Sequence, residues 1–135
     1  MELYTYKAKV IKAYDGDTIT CEVDLGFETK MTIRVRFAGI DTPELRGEER
    51  EAGLVVRDIV RDIVRDIVRE ILLDKTIYIK TEKDKTGKYG RYIADILVPN
   101  EYLGSKLITE SIDADGLVNL NQWLLDNDYA KVYGS

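Results

Sequence analysis

The chain has 135 residues, a formal charge of −5, 44% hydrophobic and 33% charged residues. These proportions argue against disorder and allow one domain, residues 1–135, with a real core. The acidic balance argues against a broad DNA-binding surface. There is no histidine and a single cysteine, Cys21, which excludes His-based triads, histidine metal sites, an internal disulfide and a zinc cluster. Cys21 is read as a small core hydrophobe. No apolar run reaches membrane length, and Met1-Glu-Leu-Tyr4 lacks the basic start and apolar core of a signal peptide. The expected location is the cytoplasm, or outside the cell if a leader has been removed.

Residues 4–13 alternate, with Tyr4, Tyr6, Ala8 and Val10 on one side and Lys7 and Lys9 on the other, which predicts a strand. Asp15-Gly16-Asp17 is a turn by composition. Thr18 to Val23 alternates again, and Asp24-Leu-Gly26 breaks it. Lys30 to Phe37 alternates cleanly, with Met31, Ile33, Val35 and Phe37 expected inward and Arg34 and Arg36 sharing the polar face. Three strands with short turns predict an antiparallel meander. Solubility is the plain reading of Arg34.

Thr42-Pro43-Glu44 ends the third strand, because proline cannot donate to a ladder. Beyond it the period changes. Val56-Arg-Asp-Ile59 repeats through Val60, Val64 and Val68, predicting a helix over about 48–73. Asp58→Arg61, Asp62→Arg65 and Asp66→Arg69 are favourable i,i+3 pairs, opposed by like charges at i,i+4. Burial of Val and Ile must therefore hold the helix. Four residues turn a straight helix about 400°, so the apolar stripe rotates about 40° per repeat. At about 39 Å the helix is expected to overhang the barrel and find a second partner, either the C-terminal segment or another chain. Self-association through this helix is the implied partner reading, against an expansion without function. Its arginines alternate with acids, which suits a solvated face better than a DNA contact.

Lys75 to Thr81 returns to period two and predicts a fourth strand. Lys83 to Gly90 reads as a polar loop, and Arg91 to Val98 as a fifth strand. Lys80, Lys83, Lys85, Lys88 and Arg91 make this hairpin the most basic region. Asp113-Ala-Asp-Gly116 is too short for an EF-hand loop and reads as a turn. Asn119 to Asp128 predicts a short amphipathic helix with Leu120, Trp123 and Leu124 inward, and Tyr129 to Tyr133 trails off from it. The expected fold is therefore mainly β with α: a five-stranded OB-fold barrel with a long helix after the third strand and a short C-terminal helix.

Three polar clusters lie beside strands: Asp15-Gly-Asp-Thr18, Arg36 with Asp41-Thr-Pro-Glu44, and Lys88-Tyr-Gly-Arg91. Carboxylates gather a hard cation and guanidiniums grip a phosphate, so their convergence would polarise a phosphodiester from both sides. Taken with the Ala130-Lys-Val132 end of the last helix, these motifs in this order resemble the staphylococcal (thermo)nuclease family over roughly residues 8–132. The resemblance implies calcium-dependent hydrolysis of DNA or RNA, single-stranded by preference, on the 5′-oxygen side to leave 3′-phosphates. It implies calcium ligation by the Asp17 and Asp41 carboxylates and the Thr42 carbonyl. Glu44 would position or deprotonate water, Arg36 and Arg91 would grip the phosphate, and Lys88 and Tyr89 would contact the nucleotide. The alternative is an OB-fold module that binds nucleic acid or protein with little or no turnover. Four departures from the family are visible: the repeat helix, a segment 101–118 longer than a minimal hairpin-to-helix link, Asn127-Asp128 in place of a glycine cap, and no counterparts to the late aromatics for base stacking and the final helix.

Overall fold

The computed structural model describes residues 4–42, 51–86, 92–104 and 115–132, the side chains of 51–60 and 82–86 excepted. Strands β1 (Thr5–Asp15), β2 (Thr18–Asp24) and β3 (Lys30–Phe37) form the expected meander. The other edge of β1 pairs antiparallel with β5 (Thr76–Thr86), and β5 pairs with β6 (Tyr92–Pro99). Strand β6 then pairs in parallel with β3, Val35 opposite Tyr92 and Phe37 opposite Ala94. That pairing closes a five-stranded barrel, which is consistent with an OB-fold. Strand β7 (Leu117–Asn119) extends the sheet from β6.

Period two explains the barrel interior. Ala8, Val10, Ile19, Cys21, Val35, Phe37, Ile77, Ile79, Ala94 and Ile96 all point inward and are buried. Each large one contributes about 1.5–3 kcal/mol. Cys21 is among them, and burial pushes its thiol up to about 12. The inward expectation fails at two strand ends, where Tyr4 and Met31 are exposed. Met31 instead rims an apolar recess with Leu25, Ile33 and Tyr6.

The long helix follows not the third strand but a two-residue strand, β4 (Ile40–Asp41). Helix α1 spans Glu51–Leu72, and it packs on β1. Val64, Val68, Ile71 and Leu72 are buried while Ile63 stays exposed, as a stripe that rotates along the helix requires. Whether its N-terminal part overhangs rests on side chains outside the described residues. Of the expected i,i+3 pairs, Asp62–Arg65 forms at 3.4 Å, and Asp58–Arg61 rests on a side chain outside the described residues. Arg69 does not turn to Asp66; its Nε donates to the Ala13 carbonyl at 3.0 Å, where β1 departs from regular register. An irregular strand exposes carbonyls that a long arginine can reach.

The C-terminal helix α2 is shorter than expected, Leu120–Asp126: Asn119 is its N-cap, accepting from the Gln122 N–H at 3.2 Å, and Asn127 is its C-cap. The left-handed residue after it is Asp128 (φ 60°), not Asn127. The tail does not trail off: Lys131–Val132 forms β8 and pairs with β4. The expected loop over residues 83–90 begins later, since β5 runs on to Thr86. The acidic turn Asp113–Gly116 falls mostly outside the described residues.

Candidate metal and phosphate site

Three connections bring the acidic turn and the end of β3 together. The Asp15–Thr18 register makes a tight reversal between β1 and β2. Phe37 N donates to the Asp17 carbonyl at 2.8 Å, so the turn is bonded onto β3. Gly39 (φ 73°) then reverses β3 into β4, a conformation that suits glycine. Arg36 and Asp41 are thereby folded back on each other, five residues apart.

Asp17 is buried, 4% exposed. Its Oδ1 accepts from the Thr18 hydroxyl at 3.1 Å and its Oδ2 from the Thr42 N–H at 3.2 Å. The Arg36 guanidinium lies 3.7 Å from Asp17 Oδ2 and hydrogen-bonds to Asp41. Its other amino group donates to the Ile40 carbonyl at 2.8 Å and the Phe37 carbonyl at 3.2 Å. One planar fork thus touches both acids and the backbone between them, an arrangement that lysine could not reproduce. Thr42 is buried, and its hydroxyl has no hydrogen-bond partner among the described residues.

The sequence-predicted residues Asp17, Arg36, Asp41 and Thr42 are therefore neighbours. Glu44, Lys88, Tyr89 and Arg91 lie outside the described residues. Among the described residues no three metal-ligating side chains come together; the set is two carboxylates, one orphaned hydroxyl and the Thr42 backbone. Calcium takes six to eight oxygen ligands and keeps waters, so this all-oxygen donor set fits it in chemistry.

Four supporting residues were not found from the sequence. Asn121, buried on α2, accepts from the Ile96 N–H at 3.1 Å and donates to the Ala38 carbonyl at 2.9 Å and the Ala94 carbonyl at 3.2 Å. It holds the β3–β4 reversal against β6. The signal was an amide inside the apolar stripe of Leu120 and Leu124, which only a buried hydrogen-bonding role explains. Lys131 stands opposite Asp41 in the β4–β8 ladder. Gly16 leaves room for α1 and Thr42: a Cβ there would sit 2.6 Å from Val64 Cγ1 and 2.9 Å from Thr42 Cγ2. Its small size was read only as a turn signal, and Val64 only as core.

No family model matches the chain. It is similar to an uncharacterized protein of Methanocaldococcus jannaschii, 30% identical over 141 residues. The similarity covers 95% of this chain and 59% of that relative, so the chain spans about three fifths of the relative's length.

Proposed function

We propose that this domain is a metal-dependent phosphodiesterase of the staphylococcal nuclease type, acting as an endonuclease on single-stranded or frayed DNA or RNA. The observation that carries the reading is the meeting of Asp17, Arg36, Asp41 and Thr42 at one end of an OB-like barrel. Asp17, Asp41 and the Thr42 carbonyl would hold calcium. When bound, the ion would acidify a water and offset charge on the phosphate. The residues of the chain do the rest. Arg36, fixed by two carbonyls, presents an oriented positive charge and so favours the more anionic transition state. The Asp17 carboxylate is kept in place by a hydroxyl and an amide rather than by solvent, so little reorganisation accompanies binding. By the resemblance, Glu44 orients the attacking water, Arg91 takes the second phosphate oxygen, and Lys88 and Tyr89 meet the nucleotide. Cleavage on the 5′-oxygen side, leaving a 3′-phosphate, follows from the same resemblance.

A plasmid-nicking assay tests this. Cutting is expected with calcium, and is expected to be lost with EDTA and in Glu44→Gln. No cutting, together with a salt-dependent gel shift, would instead identify a nucleic-acid-binding module.

A further inference from the structure

We infer that Lys12, Tyr14 and Arg34 form a second phosphate-gripping row, which holds the polynucleotide backbone about one nucleotide step from the reacting phosphate. The inference rests on the phosphodiesterase reading for its ligand and on separate residues for its geometry. In the β1–β2–β3 register Lys12 stands opposite Thr20 and Thr20 opposite Arg34, while Thr18 stands opposite Arg36. The row Lys12–Thr20–Arg34 therefore lies beside the row that carries Arg36. Val35 and Phe37 point into the barrel, so Arg34 and Arg36 both point out, roughly 7 Å apart along the strand.

Tyr14 makes the row rigid. Lys12 Nζ lies 4.7 Å from its ring centre and Arg34 Cζ 5.3 Å. Thr20 donates to the Tyr14 hydroxyl at 3.1 Å. That hydrogen bond first, and then the two cations, holds the phenol below its ordinary value despite some burial. Cations held over an aromatic face give up conformational freedom before a ligand arrives, which lowers the entropy cost of binding. The charges are also uncommitted. Lys30, Arg36, Arg61 and Arg65 pair with carboxylates, but neither Lys12 nor Arg34 forms an ion pair among the described residues. In a chain with five more acids than bases, two fixed cations without an ion-pair partner among the described residues, beside the candidate site, are complementary to a polyanion. The ring is clasped by cations and is not offered to a base, so the contact is to backbone phosphate and indifferent to sequence.

The test is fluorescence anisotropy in calcium, in the Glu44→Gln background so that nothing is cut. The ligands are a thymidine dinucleotide and an oligothymidylate of about ten nucleotides, within the span such folds cover. Lys12→Gln with Arg34→Gln should weaken the longer ligand roughly tenfold and reduce its salt slope by about one to two. The dinucleotide should lose less. Lys7→Gln with Lys9→Gln, both exposed on β1, removes the same two charges and controls for net charge. A loss no larger than in that control, or an equal loss on both ligands, overturns the row. Cutting by the unmodified protein is scored apart. Cutting with unaltered affinity in the double variant removes the row and leaves the nuclease reading. Lost affinity without any cutting removes the nuclease reading and leaves the row.

Discussion

Arg36 has two opposed effects at the candidate site. It neutralises Asp17 and Asp41, and in doing so competes with any cation for the same oxygens. Arg36→Gln leaves two close acids without counter-charge, one of them buried, and should cost about 3 kcal/mol of stability in EDTA. Calcium should then restore more stability to the variant than to the parent, because its ligands have lost their rival. Cutting should still fall by on the order of a hundredfold or more, as when a transition-state donor is removed. Thermal unfolding with and without calcium reads the first two effects. A variant that calcium leaves unchanged would show that these acids are not cation ligands.

Among the elements, α2 is held to the barrel by its buried Leu120, Trp123 and Leu124 and by the Asn121 amide. Asn121→Ala would strand the Ile96 N–H and the Ala38 and Ala94 carbonyls, groups it now satisfies. The expected cost is about 3 kcal/mol in urea unfolding, with a parallel loss of calcium-induced stabilisation as the β3–β4 reversal loosens. A stability loss with the calcium response intact would confine Asn121 to a packing role. The same elements show what could be read in advance. Strand β3 was legible because eight alternating residues separate a barrel face from a solvent face. Strands β4 and β8 were not, since two residues carry no period and their pairing joins Ile40 to Val132 across most of the chain. At the site, the spacing of Arg36 and Asp41 could be read from sequence. The contact of Asp17 with Thr42 depends on a reversal at Gly39 that composition did not announce.

For the whole molecule, acid stability should carry the mark of Asp95. Burial holds this carboxyl above its ordinary value of 3.8, partly offset by Lys80. A raised acid binds its proton more tightly when folded, so its stabilisation is complete below the unfolded value and is lost as pH rises through the folded one. Wild type should therefore lose ground to Asp95→Asn as pH climbs from 3.8 upward. Urea midpoints of both proteins across that range would reveal it, and a constant difference would refute it. The charge pattern belongs to this scale as well. A net charge of −5 discourages indiscriminate adhesion to nucleic acid, so under the proposed reading affinity would come from the local rows along β1 to β3 and contact would be weak and salt-sensitive.

The seat of Gly16 under Val64 limits how the repetitive helix can evolve. Adding or deleting one four-residue unit on the C-terminal side of Val64 would carry that contact about 40° around the axis and about 6 Å along it. Because the unit repeats, the side chain carried over the acidic reversal is again a valine, but on that displaced bearing it no longer matches the gap at Gly16. Units on the N-terminal side leave the register between Val64 and the β5 end of the helix unchanged. Length polymorphism in descendants of this gene should accordingly accumulate before Val64 and stop there.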